Sequence, residues 1–594
     1  MLAKEKNDNF YLILLFLLGI ILCLPMIFFD RFPKADASIY YLPMIRNFAQ
    51  GNWFQAYYPM IPPLLPTIAG IISKTTHLAP YTASKLTTVL FFAGSVFPLY
   101  HIHRITFGKQ ISFLAVLLFL LCPRLMRYAG AGLLDIPNTF FLLSGVFSFM
   151  RYIKRPGWLP AIGIIISCAG LALIRGEGIL FAMLLIMAFA GTETLTKTVR
   201  KNRDEASFII YRLPIRVLTG LIFFFLIMSP WIVYQYRMTG YPVTDSRQIP
   251  LLKNILAKFG NNSLCNRKGS IPDEPKELQQ LLNDSGLPKG PWEAHAIAKA
   301  VKRPTTAGSF LSKLFSNTVK GFYFPYLVIA IIAALLRVKS RKWTLWETFL
   351  LIIIFIHTAV FILILWGFPP VKRYISHALP FILGWTAYGA FNTFHFLKLK
   401  CKKSSSFVPY VLVFILIYSC IWEGTKRIRS RPSHKQKKIE AITLTARWIR
   451  KNKGQTVPGQ NPRLNSTTMA YYNGESPIIL TCEPRISFFV GGETVVPNNY
   501  KATFTIEEIV QLCKIKSVHF VAVEDDLLEI CPEFSAASHY SDILPILYRS
   551  GNNPETDVTL LGYKPNLRLP GRLSQNIDTP HGIKFYKIDP PNQF

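Results

Sequence analysis

Several common features of catalytic proteins are missing from this chain of 594 residues. There is no HExxH, no P-loop and no G-x-G-x-x-G, so zinc-protease, phosphate-loop and dinucleotide-binding classes find no support. The nine cysteines are scattered and odd in number, and no CxxC occurs, which argues against a disulfide framework. One disulfide between two of Cys482, Cys513 and Cys531 is the alternative that the sequence leaves. Asp36-Ala37-Ser38 is not a D-x-D, so the sequence indicates neither a metal nor another cofactor.

Acidic residues are scarce as well. The chain has 33 Asp and Glu against 66 Lys and Arg, a formal net charge of +33. These charges fall in short clusters between long apolar runs, a pattern of membrane topology and not of a phosphate-binding stripe. With 51% hydrophobic residues, the composition favours a membrane protein over a string of soluble domains. Membrane lipids are therefore expected partners, and nucleic acid is not.

Long uncharged runs are what the sequence has in abundance. A helix of about 20 residues crosses the apolar core of a bilayer, so these runs predict an α-helical polytopic fold with about eleven transmembrane helices. The first run follows a short basic head and precedes no small-x-small cleavage site, so we expect an uncleaved signal-anchor helix. The runs are Phe10–Phe29, Leu86–Ile102, Ile111–Pro123, Ile136–Met150, Trp158–Ile174, Gly178–Thr192, Val217–Tyr236, Gly321–Leu336, Thr348–Val371, Tyr374–Phe396 and Ser404–Trp422.

Basic residues mark every second short connection between these runs. With the N-terminus in the cytoplasm, the positive-inside rule assigns clusters such as Arg151, Lys154 and Arg155 to the cytoplasmic side. An odd number of crossings then places the C-terminal region outside. The connections on that exterior side carry Asp36, Asp135, Glu177, Lys372 and Arg373.

Two domains are predicted. Residues 1–427 form the membrane domain, with exterior loops at 31–85, where interfacial helices are expected, and at 237–320. Residues 428–594 form a soluble exterior α/β domain, because the apolar runs stop there. Within it, residues 505–526 have the pattern of a helix followed by a buried strand, and 557–564 and 582–589 the pattern of strands.

Carboxylates at exterior helix ends are candidate general bases, because burial can raise their pKa toward the working pH. Asp36 lies just beyond the first run, where a solvated loop acid is the alternative. Asp135 precedes Ile136-Pro137 and is also a candidate helix N-cap, a role compatible with catalysis. Glu177 shares a tight connection with Arg175, and such a pair is either structural or functional.

Cations on the same side are candidate phosphate ligands. Lys372 and Arg373 interrupt two strongly apolar runs. The guanidinium fork and the ammonium point charge suit phosphate oxygens, and snorkelling toward the interface is the alternative. Upstream of Asp135, Arg124 and Arg127 either bind phosphate or pair with that acid.

Several short motifs follow one another along the chain: D-x-x-x-Y (Asp36, Tyr40), A-x-G-x-W (Ala49, Gly51, Trp53), Pro62-Pro63-Leu64, the acid Asp135, Ile174–Gly178 and Lys372–Pro380. In their order and loop placement they resemble the GT-C superfamily of polytopic glycosyltransferases that use lipid-phosphate-linked sugars. Within it, the chain resembles the bacterial branch of protein O-mannosyltransferases, the lipid A aminoarabinose transferase and the lipopolysaccharide-core transferases of rhizobia. Two departures stand out: many relatives have Glu where this chain has Ala37, and the aminoarabinose branch has a phosphate-binding Lys where this chain has Ile61. The resemblance covers about residues 10–396.

This resemblance implies an inverting transfer of sugar from a polyprenyl phosphate to a cell-envelope acceptor, whether lipid A or lipopolysaccharide, another glycan or a protein. It implies a bacterial inner-membrane location with a periplasmic C-terminal domain. Its residue roles are Asp36 as base with Asp135 in support, and Arg373, Lys372 and then Arg175 as ligands of the donor phosphate. Tyr40, Tyr58, Glu177 and Tyr374 are the expected substrate contacts.

Two other functions remain open. One is a ligase or polymerase acting on lipid-linked oligosaccharides. The other is a flippase or transporter of a lipid-linked sugar. Transporters tend to place polar residues at mid-membrane and often show repeated halves, whereas here the acids lie at one face and no repeat is visible.

Overall fold

The structure is a computed structural model. It describes residues 2–29, 37, 41–53, 56–57, 61–155, 157–176, 178, 212–239, 307–364 and 372–400, and short segments of the C-terminal region at 441–442, 444–445, 449, 478–480, 493–495, 513, 520–523, 546–549 and 559–562. The chain divides into two compact units. The first comprises 1–31, 59–266 and 303–426, and the second 32–58, 267–302 and 427–594.

The described part of the first unit is helical. Its helices are α1 (Leu2–Phe29), α3 (Leu64–Thr76), α4 (Pro80–Gly94), α5 (Val96–Phe107), α6 (Lys109–Leu120), α7 (Pro123–Ala129), α8 (Asp135–Lys154), α9 (Trp158–Ile174), α10 (Arg212–Thr239), α11 (Ala307–Gly321), α12 (Phe324–Lys339), α13 (Leu345–Ile364), α14 (Lys372–Ile375), a 3₁₀ turn (Ser376–Ala378) and α15 (Leu379–Lys400). Helix α2 (Leu42–Ala49) belongs to the second unit.

Within the described residues, three segments are long and apolar enough to cross a membrane: Asp8–Ile27, Pro80–Phe107 and Leu218–Met238. Two bent helix pairs raise the number to five if each forms one span. They are α6 with α7, bent by 59°, and α11 with α12, bent by 91°. The protein is thus mostly helical with several candidate spans, and the count of about eleven stays a prediction.

Polar contacts tie both ends of α1 to its neighbours. Near its start, the Asp8 carboxylate pairs with Arg104 of α5, at 3.0 Å, and with Lys109 of α6. At its end, the buried Lys85 ammonium of α4 donates to the carbonyl oxygens of Met26 and Ile27 at 3.1 and 3.4 Å. A cation at a helix C-terminus satisfies the last carbonyls and complements the helix dipole. These contacts hold α1 against α4, α5 and α6.

A buried ion pair closes the turn between α12 and α13. Arg337 donates from Nε and Nη2 to the two oxygens of Glu347, at 2.6 and 2.9 Å. Glu347 also accepts from the Trp385 ring nitrogen of α15 at 3.0 Å and from the Thr344 amide at 2.8 Å. The Glu347 side chain is completely buried. This network joins α12, α13 and α15, and α13 carries two residues of the site described below, His357 and Phe361.

Glu347→Gln should lower the stability of the protein markedly. Glutamine keeps the side-chain size but leaves the buried Arg337 guanidinium without its counter-charge, and breaking a buried pair costs about 3–5 kcal/mol. We expect a lower midpoint of thermal unfolding in detergent. Lys339→Gln is the matched control, because Lys339 is exposed at the end of α12. Equal midpoints for the two variants would contradict a structural role for the pair.

The second unit contains a five-stranded mixed sheet. Its strands are β1 (Ile478–Leu480), β2 (Glu493–Val495), β3 (Phe520–Val523), β4 (Ile546–Arg549) and β5 (Thr559–Gly562), in the order β2-β1-β3-β5-β4. β1 pairs parallel with β2 and β3, and β5 pairs antiparallel with β3 and β4.

Two strands of this sheet fall where the sequence pattern predicts them. All four residues of β3 are buried, which suits its continuous apolar sequence, and β3 lies within the predicted 505–526 segment. β5 lies within 557–564. The strand predicted at 582–589 lies outside the described residues, and a soluble C-terminal domain as a whole stays a prediction.

Candidate functional site

Segments far apart in the first unit meet around one carboxylate, Asp135. It is the first residue of α8 and is 2% exposed. The other side chains of the cluster come from α8, from the residue after α9, from α13, from α14 and from the 3₁₀ turn. They are Asn138, Arg175, His357, Phe361, Arg373, Tyr374 and His377.

A turn pinned by α4 sets the position of Asp135. Gly132 adopts a left-handed φ of 64° in the connection between α7 and α8, and a Cβ there would approach the Ser84 hydroxyl to 3.0 Å. The Ser84 hydroxyl donates to the Gly132 carbonyl at 3.0 Å, and the Thr88 hydroxyl donates to the Ala129 carbonyl at 2.5 Å. Glycine is suited to such a conformation and to so close an approach. The start of α8 is therefore held firmly against α4.

Asp135 is not the N-cap that its position before Ile136-Pro137 suggested. Leu134 occupies the N-cap and makes no side-chain cap hydrogen bond. The Asp135 carboxylate instead accepts through Oδ1 from Arg175 Nη1 at 3.4 Å and from His377 Nε2 at 3.2 Å. Arg373 Nε lies 3.9 Å from the same oxygen. The acid is thus the common counter-charge of two arginines.

These partners keep Asp135 ionised. Burial would by itself raise the pKa of the carboxyl group, since a charge is poorly solvated in the protein interior. The hydrogen bond from His377 and the positive charges of Arg373 and Arg175 outweigh burial and hold the pKa of Asp135 well below its usual range. A carboxylate of this kind is suited to orienting cations.

The ring of Tyr374 supports both guanidinium groups. Arg175 lies 4.6 Å and Arg373 5.2 Å from its centroid. Tyr374 in turn stacks on Phe361 of α13, with centroids 5.0 Å apart and an interplanar angle of 10°. Cations are attracted to aromatic faces, and guanidinium groups also stack on them. Two like charges are thereby held close together, with Asp135 between them.

The cluster brings two guanidinium groups together and reaches the protein surface. The guanidinium groups of Arg175 and Arg373 both lie within 4 Å of one carboxylate oxygen, Oδ1 of Asp135. The Arg175 side chain is 6% exposed, whereas that of Arg373 is 32% exposed, and the adjacent Lys372 is exposed. A partly buried cation beside an accessible one suits an anion with several oxygens, such as a phosphate group.

The structure therefore brings together four of the residues singled out in the sequence: Asp135, Arg175, Arg373 and Tyr374. The other predicted site residues Asp36, Tyr40, Tyr58 and Glu177 lie outside the described part of the chain. Their roles stay predictions.

The two upstream arginines take different positions. Arg124 is buried and Arg127 exposed, and the ion pairs of Asp135 with described residues include neither. Pairing of either arginine with Asp135, one of the two alternatives considered, is thus not observed.

Sequence reasoning missed His377 and Asn138. Their spacing was a usable signal, because residues three or four apart lie on the same face of a helix. Asn138 follows Asp135 by three positions, and His377 follows Arg373 by four.

Among the described residues, no group of three or more His, Cys, Asp and Glu side chains is placed to hold a metal ion.

Comparison with known proteins identifies the fold. No family model and no curated protein matches the sequence. Among solved structures, apo ArnT from Cupriavidus metallidurans matches with a TM-score of 0.51 and 10% identity, over 95% of this chain and 100% of that chain. The archaeal oligosaccharyltransferase AglB from Archaeoglobus fulgidus, in complex with an inhibitory peptide and a dolichol-phosphate, matches with a TM-score of 0.47 and 13% identity, over 90% and 71%. The chain shares the fold of ArnT, a GT-C fold, as its sequence resemblance predicts.

Proposed function

We propose that the protein is an inverting membrane glycosyltransferase that moves a sugar from a polyprenyl phosphate to a cell-envelope acceptor. The acceptor is lipid A or lipopolysaccharide, another glycan or a protein, reached at the exterior face of a bacterial inner membrane. The observation that carries the proposal is the convergence of Arg175 and Arg373 on Asp135, which places two guanidinium groups side by side in a GT-C fold. Such a cluster suits the phosphate of a lipid-linked sugar.

In the proposed reaction the acceptor hydroxyl attacks the anomeric carbon from the face opposite the phosphate. A bond forms between the acceptor oxygen and the anomeric carbon, and the bond from that carbon to the phosphate oxygen breaks. The electron pair passes to the phosphate, so negative charge develops there in the transition state. Preorganised cations in a water-poor site stabilise such developing charge, which is the role proposed for Arg373 and Arg175, with Lys372 at the rim.

The acceptor proton passes to Asp36 in this proposal, because it is the exterior acid of the first loop. The loop position and the D-x-x-x-Y spacing support that assignment. Asp135 acts in support: its Oδ1 already faces two arginines and a histidine, and its depressed pKa makes it a poor proton acceptor. It orients the guanidinium groups that meet the phosphate.

The decisive assay uses the purified protein in vesicles with a radiolabelled polyprenyl-phosphate sugar and a cell-envelope acceptor extract. Transfer of label with release of polyprenyl phosphate, and NMR showing an inverted anomeric centre, are the expected results. Movement of the intact lipid-linked sugar across the vesicle without transfer would replace the proposal with a flippase. Activity only with diphosphate-linked oligosaccharide would replace it with a ligase or polymerase.

Lys372→Ala should weaken donor binding only modestly, by about two- to five-fold, because an exposed ammonium group is largely screened by water and salt. The loss should shrink further as ionic strength rises. Titration of polyprenyl phosphate at low and high salt measures both effects. Lys339→Ala, a substitution at another exposed lysine, is the control. If Lys372→Ala instead lowered donor affinity by more than about a hundred-fold, Lys372 would be a principal phosphate ligand.

A further inference from the structure

The hydrogen bonds that start at Asp135 continue beyond His377. While His377 Nε2 lies 3.2 Å from Asp135 Oδ1, its other ring nitrogen, Nδ1, lies 3.2 Å from the side-chain nitrogen of Asn138. Asp135, Asn138 and His377 are 2%, 1% and 1% exposed, so water does not compete for these contacts. One face of the first turn of α8 therefore presents both partners of the imidazole ring.

This arrangement selects one protonation form of His377. The Asn138 amide nitrogen can only donate, so Nδ1 accepts and carries no proton. The single proton of the neutral ring then lies on Nε2, which donates it to Asp135. His377 thus gives the acid a hydrogen bond without adding a third positive charge beside Arg175 and Arg373.

The remaining surroundings of His377 restrict the position of its ring. His357 lies against it edge to face, with centroids 5.7 Å apart, and Phe361 and Tyr374 lie 6.0 and 6.4 Å away. The backbone is held as well, because the Ser376 hydroxyl donates to the Arg373 carbonyl at 2.6 Å. The imidazole is therefore a rigid support for one carboxylate oxygen.

We propose that His377 and Asn138 are positioning residues that act through Asp135. Asn138 orients the ring, the ring holds Asp135 Oδ1, and Oδ1 sets where the guanidinium groups of Arg175 and Arg373 lie. The inference rests on the proposed function, since these are the groups that meet the donor phosphate. Neither His377 nor Asn138 touches the reacting atoms in this scheme.

A pair of substitutions at His377 separates hydrogen bonding from shape. In His377→Gln, the amide nitrogen reaches about as far as Nε2 of the histidine and can still donate to Asp135. In His377→Asn, the shorter side chain ends near the position of Nδ1 and cannot reach Asp135. Loss of a hydrogen bond to a charged group predicts a fall in kcat/KM of about 10- to 100-fold for His377→Asn. His377→Gln should stay within about three-fold of the wild type. Gel filtration and thermal unfolding of each variant establish that it is folded. Equal losses in both variants, or no loss in either, would overturn the positioning role.

A spectroscopic test addresses the ring directly. In protein labelled with ¹⁵N-histidine, and assigned by comparison with His377→Gln, we expect a protonated Nε2 and an unprotonated Nδ1 for His377. In Asn138→Asp a carboxylate replaces the amide donor, so Nδ1 should gain a proton and its resonance should move accordingly. A protonated Nδ1 in the wild type, or an unchanged spectrum in Asn138→Asp, would overturn the inference.

The two proposals fail in different ways. Wild-type protein that neither binds polyprenyl phosphate nor transfers sugar would refute the proposed function, and the spectra alone would then decide the inference about His377 and Asn138. Wild-type transfer with the other ring nitrogen protonated would refute only the inference.

Discussion

Arg373→Ala should reduce kcat/KM by about 10²- to 10³-fold, the effect of removing one group that stabilises developing negative charge. The Arg373 side chain is 32% exposed and lies against the Tyr374 ring, so its guanidinium is placed to meet a ligand from outside. Donor affinity should fall together with turnover, because the phosphate is negatively charged in the ground state as well. Titration of polyprenyl phosphate and a transfer assay measure the two effects separately.

Two matched variants sharpen this test. Arg373→Lys keeps the charge and loses the planar fork, so kcat/KM should fall by about ten-fold, which is less than the fall in Arg373→Ala. Arg151→Ala removes an exposed arginine from the last turn of α8, far from Asp135, and should leave activity unchanged. Equal donor affinity in Arg373→Ala and wild type would move the phosphate site to other cations.

Asp36→Asn should lower turnover by about 10²- to 10⁴-fold while leaving donor affinity nearly unchanged, since a general base acts in the transition state and not on the bound phosphate. This pattern differs from that expected for Arg373→Ala, in which donor affinity and turnover fall together. Single-turnover transfer and donor titration on the same preparation distinguish the two patterns.

The control for this prediction is Asp135→Asn. It removes the counter-charge between Arg175 and Arg373 and should change donor affinity, because the guanidinium groups lose the oxygen they share. Full turnover of correctly folded Asp36→Asn would eliminate Asp36 as the base.

Much of the candidate site was visible in the sequence because it consists of charged residues where charge is costly. Asp135, Arg175 and Arg373 each stand at the edge of a long apolar run, and ionisable groups in such places are more often functional than not. Tyr374 was found through the same K-R-Y segment. The contact of its ring with both guanidinium groups was not predicted, because an aromatic residue after a cation is a common sequence and does not indicate any specific contact.

The interpretation of Asp135 as a helix cap shows where local patterns fail. Asp before Ile-Pro is a good start for a helix, yet the cap is Leu134 and the carboxylate turns toward arginines from other segments. His377 was passed over for a related reason. Its spacing from Arg373 indicates a shared helix face but not what that face contacts, and its two partners, Asn138 and Asp135, lie 239 and 242 residues away along the chain.

The sequence by itself determined the class of the protein: its helical membrane character, its GT-C resemblance and the types of charge available for a site. These follow from the length of apolar runs and the spacing of charges, which are properties of neighbouring residues. Only the tertiary structure decided that one oxygen of Asp135 is shared by Arg175, Arg373 and His377, and that the Asn138 amide lies beside the other ring nitrogen of His377. Those contacts depend on which helices pack together and how they are rotated, and side-chain hydrogen bonds form only over about 3 Å, a distance that sequence spacing between separate helices does not specify.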